Sequence, residues 1–182
     1  MKNIKRCKWC NLDNNLYVKY HDEEWGSPIY NDNKLFELLI LESFQAGLSW
    51  ECVLNKREYF RVAFDNFDYN KISKYNDDRI KELLENKNII RNKLKIKAAI
   101  NNSKIFIDIQ KEYGSFSKYI WSFTNNKIIY EYDKTSSKLS DTISNDLKNR
   151  GMKFVGTVII YSYLQAVGII NSHEKGCFLY NK

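Results

Sequence analysis

A chain of 182 residues with 43% apolar side chains is long enough for one domain with its own core, and too apolar to be disordered. Lys and Arg number 29 against 22 Asp and Glu, a net charge of +7 that suits an anionic partner such as nucleic acid without identifying one. No run is long and apolar enough to span a bilayer, and the basic start "MKNIKRCKWC" lacks the apolar stretch of a secretion signal, so a cytoplasmic protein with no membrane partner is expected.

One proline and seven glycines favour helices. "NDNKLFELLILESFQAG" reads as a helix from about Lys34 to Ala46, capped by Asp32 or Asn33 and apolar almost all round, hence buried. Ser49 caps a helix through "WECVLNKREYFRVAF", and "DYNKISKY" and "DDRIKELLEN" read as two short helices. "RNKLKIKAAINNSKIFIDIQKEYG" places Ile96, Ala99, Ile100, Phe106 and Ile107 on one stripe and stops at Gly114; Ser115 then caps "FSKYIWSF". Residues 125–140 are polar and read as a long loop. "SDTISNDLKNRG" is a helix stopped at Gly151, and Thr157 opens a last apolar helix, "VIIYSYLQAVG". No stretch alternates as a strand would, so the fold class is all-α, one domain over 1–182.

The turn from Lys148 to Thr157, "KNRGMKFVGT", joins two helices. Gly151 and Gly156 allow close backbone approach, and amides before a helix N-terminus attract anions. Lys148, Arg150 and Lys153 add charge. Such a turn suits a DNA phosphate, although an ordinary glycine-stopped turn with solvated lysines has the same sequence.

The chain's two histidines, His21 and His173, each lie near cysteines. "SHEKGC" sets His173 four residues before Cys177; "CKWC" and "YHDEEW" offer Cys7, Cys10 and His21. In a reducing compartment such cysteines are thiols or metal ligands rather than disulfides. Zinc takes four ligands of these types, and a site built from both ends would tie the chain together, with metal binding worth on the order of 10 kcal/mol. Which of Cys7 and Cys10 joins His21 stays open on spacing alone. A redox role for the C-x-x-C pair lacks the surrounding βαβ pattern.

Glu42 sits on an apolar helical face, with Leu35, Leu38, Leu39 and Ala46 as neighbours. A buried carboxylate needs a partner or a task; a salt bridge to Lys or Arg would serve, and Glu37 carries the same ambiguity. Trp9, Tyr17, Tyr20, Trp25 and Trp50 are placed to line one hollow with Glu42. Aromatic faces around an acid suggest a pocket for a flat, electron-poor ring.

Together "RCKWC", "LYVKYHDEEWG", "KLFELLILESFQAGLSW", "NIIRNKLKIKAAINNS", "FSKYIWSF" and "KNRGMKFVGTVIIYSYLQAVGIINSHEKGC" span nearly the whole chain. In this order they resemble the DNA-3-methyladenine glycosylase I family, a zinc-containing branch of the helix-hairpin-helix glycosylases. The resemblance implies a two-lobed helical fold whose termini meet at one structural zinc per chain, held by Cys7, His21, His173 and Cys177, with Cys10 a bystander. It implies that the protein flips N3-methyladenine out of alkylated duplex DNA and hydrolyses its N-glycosidic bond. A monomer without a protein partner is expected because no exposed apolar repeat suggests otherwise. By that resemblance Glu42 is the catalytic acid that accepts hydrogen bonds from the cationic base, and Trp50 stacks on it. Tyr20 bonds its edge, with Tyr17, Trp9 and Ser162 nearby. Gly151, Lys153 and Gly156 grip the backbone and Leu48 fills the vacated stack. Most of the superfamily has an aspartate after the hairpin. Between Thr157 and Cys177 this chain has only Glu174 as an acid, so modest catalysis on a labile bond and no lyase step are implied. A zinc-stabilised DNA-binding module without chemistry and a catalytic-zinc enzyme are the competing readings.

Overall fold

In the computed structural model, which describes residues 4–182, helices make up more than half of the chain and set its architecture. In chain order they are α1 (Asn15–Glu23), α2 (Asp32–Gln45), α3 (Trp50–Leu54), α4 (Arg57–Ala63), α5 (Tyr69–Ile72), α6 (Asp77–Glu85), α7 (Lys93–Tyr113), α8 (Phe116–Ser122), α9 (Lys138–Asn149) and α10 (Thr157–Ala166). The all-α expectation is met but for two strands, β1 (Ile129–Tyr130) and β2 (Ile170–Asn171), which pair in parallel. Two residues each are too few for alternation to show in the sequence.

The core is built around α2, in which every residue from Leu35 to Phe44 is buried. It packs against α3, α7, α8 and α10. Phe36 is fully buried edge-on against Phe106 of α7, and truncating such a ring to Ala costs roughly 3–5 kcal/mol.

Caps explain most of the boundaries. Asn31, one residue before the expected pair, caps α2 by accepting from the Lys34 N–H. Asp32 is turned instead to the start of α8, where it accepts from the N–H groups of Phe116 and Ser117 at 2.9 and 2.8 Å. Ser49 and Ser115 cap α3 and α8 as the sequence indicates, and Gly114 ends α7 at φ 84°. The single helix expected after Ser49 is two, α3 and α4. Arg57, the first residue after the break, is buried and donates to Glu24 and Glu37, both at 2.7 Å. α9 starts at Lys138, earlier than expected, because Ser137 and Ser140 form a reciprocal capping box.

Candidate active site and metal centre

α1 is the element on which the two sites meet. Asn14 caps it by accepting from the N–H groups of Leu16 and Tyr17. Tyr17, Tyr20 and His21 lie within one broad face of α1: Tyr17 and Tyr20 line a cavity, and His21 beside them meets the chain's other histidine at 5.1 Å.

His21 meets Cys7, His173 and Cys177, and one ligand atom from each lies within 4.8 Å of all the others. Cys7 Sγ is 3.5 Å and Cys177 Sγ 3.7 Å from His173 Nδ1, while Cys177 Sγ is 3.6 Å from His21 Nε2. A tetrahedral zinc site with normal bond lengths has edges of about 3.5 Å. The far ring nitrogens are held as metal-bound imidazoles require: His21 Nδ1 lies 2.8 Å from Asp22, and His173 Nε2 3.1 Å from the Trp25 carbonyl. Arg6 in turn fixes Asp22 through two side-chain nitrogens and holds its carboxyl below the usual range. Burial pushes His173 down to about 4, so the imidazole is neutral and free to ligate. Burial pushes the Cys7 thiol up to about 12, and a cation is what would hold it as thiolate. These four residues could hold a metal ion. Cys10 is not among them; its sulfur lies 3.9 Å from the Tyr17 carbonyl.

Beside this cluster a cavity of about 820 Å³ gathers every residue expected to meet a base: Trp9, Tyr17, Tyr20, Glu42, Trp50 and Ser162. Tyr20 and Trp50 lie with ring centroids 5.2 Å apart, and Trp9 is 5.3 Å from Tyr17 and 4.8 Å from Trp25. Glu42 is 3% exposed, and its Oε2 has no hydrogen-bond partner. Among the described residues it forms no salt bridge, and desolvation pushes its carboxyl up to about 8. The alternative of a structural ion pair is realised at Glu37, which Arg57 and Arg61 meet at 2.7 and 2.8 Å. Trp50 Nε1 is also buried without a partner. Orphaned polar atoms of this kind in a roomy aromatic cavity point to a polar, flat ligand.

The two sites share walls. Trp9 packs on His21 at 5.1 Å and Trp25 edge-on against His173 at 4.7 Å, and both tryptophans line the cavity. Gly26, at φ 77°, leaves His173 room, since a Cβ there would stand 2.9 Å from Nε2. Gln45, Gln165 and Ser172 line the same cavity without having been singled out from sequence, and Glu174, noted there only as the acid after the hairpin, joins them. Gln45 alone carried a signal, one helical turn beyond Glu42.

The hairpin is anchored from below. Gly151 turns at φ 98°, and Met152 and Val155 are buried while Lys153 is exposed. Gly156 caps α10 without a side chain, and a Cβ there would meet nothing within 4 Å. Arg150 departs from expectation: it is tied to Asp146 at 2.8 Å and Glu112 at 2.6 Å rather than presented outward. Leu48 is 42% exposed in the turn between α2 and α3.

Residues 9–180 match the methyladenine glycosylase family model. The chain belongs to this family. It is 40% identical to the DNA-3-methyladenine glycosylase 1 of Escherichia coli (strain K12), over 97% of each chain. A crystal structure of 3-methyladenine DNA glycosylase I superimposes with a TM-score of 0.92 at 41% identity, over 96% of this chain and 99% of that one. The Staphylococcus aureus enzyme, solved to explain 3-methyladenine recognition, gives a TM-score of 0.87 at 37% identity over 90% of each chain.

Proposed function

We propose that this member of the methyladenine glycosylase family excises N3-methyladenine from alkylated duplex DNA by hydrolysing its N-glycosidic bond, leaving an abasic site without a lyase step. The carrying observation is Glu42, a buried, unpartnered carboxyl at the wall of an aromatic cavity. A cationic ring supplies what this group lacks, a positive charge and a donor, through a charge-assisted hydrogen bond. Trp50 stacks on the ring and Tyr20 bonds its edge, with Tyr17, Trp9 and Ser162 completing the contact. Neutral adenine brings no charge and leaves Glu42 desolvated, which disfavours it.

In the reaction water adds to the anomeric carbon and releases one proton to solvent, the C–N bond breaks, and its electron pair neutralises the departing cationic base. The leaving group is already activated, so binding and flipping carry most of the specificity. Gly151, Lys153 and Gly156 hold the backbone, and Leu48 occupies the stack from which the base has left. Cys7, His21, His173 and Cys177 would hold zinc in a structural role, two thiolates and two imidazoles leaving no position open for catalysis, and their union would steady the Trp9 and Trp25 wall of the cavity. The chain works as a single domain over 1–182, a cytoplasmic monomer whose partner is DNA; no helix among the described residues is long and apolar enough to cross a membrane.

The competing reading is a zinc-stabilised DNA-binding module, and an unpaired buried carboxyl is a cost such a module does not need. The test is base release. Duplex DNA treated with a methylating agent is incubated with the zinc-loaded protein, and freed bases are separated by chromatography. Free N3-methyladenine without N7-methylguanine supports the proposal; no release from a folded, metal-loaded sample contradicts it.

A further inference from the structure

Lys95 is 6% exposed, and among the described residues it has no acidic partner. Its ammonium donates to the carbonyls of Phe44 and Ala46 at 2.8 and 2.6 Å. These lie at the C-terminal end of α2, where carbonyls are unsatisfied and the helix dipole is negative. The chain then leaves the helix through Gly47, Leu48 and Ser49 into Trp50. Lys95 therefore pins the root of the segment that carries both the stacking tryptophan and the leucine plug.

Seven residues along α7, on the same face, Asn102 is fully buried. Its amide donates to the Lys153 carbonyl at 2.8 Å and accepts from the Lys153 N–H at 2.9 Å, which grips the hairpin. Two turns of helix separate Lys95 from Asn102, about 10 Å. A third link closes the frame: the Ser43 hydroxyl, next to Glu42, shares its one proton between the Leu39 carbonyl at 2.8 Å and the Phe154 carbonyl at 3.2 Å, and Phe154 holds a left-handed φ of 56°. End of α2, α7 and hairpin are thus bonded in a ring.

We propose that Lys95 is a positioning residue for base excision, which fixes the Gly47–Trp50 segment at a set distance from the phosphate-binding hairpin. This inference rests on the proposed function. A buried ammonium is costly, and methionine would fill the volume without that cost, so a packing role alone does not account for it. Lys95 does not line the base cavity, so it does not touch the base. Its effect is on where Trp50 and Leu48 stand when the hairpin holds the backbone.

The test compares Lys95→Met with the parent in two assays: single-turnover N3-methyladenine release from methylated duplex DNA, and binding of free N3-methyladenine read by tryptophan fluorescence. The release rate falls about ten-fold or more, because a small misplacement of reacting groups is costly, while free-base affinity stays within about three-fold. Lys95→Arg, which restores donors and charge, recovers most of the rate. Release at the parent rate by Lys95→Met, or a loss of free-base binding that matches the loss of rate, overturns the inference. If Lys95→Met does not fold, Ser43→Ala carries the test, since it removes one hydrogen bond of the ring. Its release rate falls about three-fold or more with free-base affinity unchanged, and an unimpaired Ser43→Ala overturns the inference. A parent that releases nothing overturns the proposed function, and with it this inference; a parent that releases base beside an unimpaired variant overturns this inference alone.

Discussion

Cys7 Sγ stands 3.5 Å from His173 Nδ1, although 166 residues separate the two in sequence. That contact closes the chain on itself and sets Trp9 and Trp25 against the histidines on one side and the base cavity on the other. Metal and base sites are therefore mechanically linked, although no ligand of one faces the other.

His173→Ala should lower zinc from one per chain to near zero by elemental analysis. The loss of stability should be several kcal/mol, a large part of the roughly 10 kcal/mol that a structural zinc can contribute. Full zinc retention in a folded variant would remove His173 from the ligand set.

Gly26→Ala tests the same wall more gently. The added Cβ would meet His173 Nε2 at 2.9 Å on a backbone already at φ 77°. A destabilisation of roughly 1–3 kcal/mol is expected in denaturant unfolding, together with faster zinc transfer to a chromogenic chelator. Unchanged zinc release would show that the ring has room to move.

Arg57→Ala should cost roughly 3–5 kcal/mol, because it leaves Glu37 buried and partly unpaired and frees Glu24 at the end of α1. Thermal and denaturant unfolding would measure it; a loss below about 1 kcal/mol would place the pair among ordinary surface bridges.

Glu42 gives a pH dependence of definite sign. Its carboxyl is raised from an ordinary 4.5 to about 8, so between those values the folded protein keeps a proton that the unfolded chain gives up. The contribution is full below the unfolded value and is lost as pH rises toward the folded one. Between pH 6 and 8 the parent should lose about 1.4 kcal/mol of unfolding free energy per pH unit relative to Glu42→Gln. A constant difference across that range would mean that the carboxyl is ionised in the folded state.

Much of this was legible in the sequence, and the exceptions have physical reasons. Glu42 stands out because an acid among Leu35, Leu38 and Leu39 conflicts with its surroundings, and the structure keeps the conflict unresolved. Glu37, in the same pattern, is resolved by Arg57 and Arg61, and nothing local distinguishes the two, since the arginines come from another helix. The α3–α4 break carries no glycine or proline to mark it, and the partners of Arg57 just after it, Glu24 and Glu37, lie on other elements. Asp32 looks like a cap and is one, for a helix that starts 84 residues later. Nothing in "KLKIKAA" sets Lys95 apart from Lys93 and Lys97, because the carbonyls it meets belong to the end of α2. The β1–β2 pair and the inward tie of Arg150 are likewise tertiary facts.

The most direct test of the central claim is Glu42→Gln, assayed for release of N3-methyladenine from methylated duplex DNA and, in parallel, for binding to undamaged duplex. The variant keeps the side chain's shape and removes its capacity to ionise against the cationic base. Release should fall by about ten- to a hundred-fold or more, the worth of a charge-assisted hydrogen bond, with duplex binding unchanged. Release at the parent rate would contradict the account, because the buried carboxyl would then have no part in recognising the base.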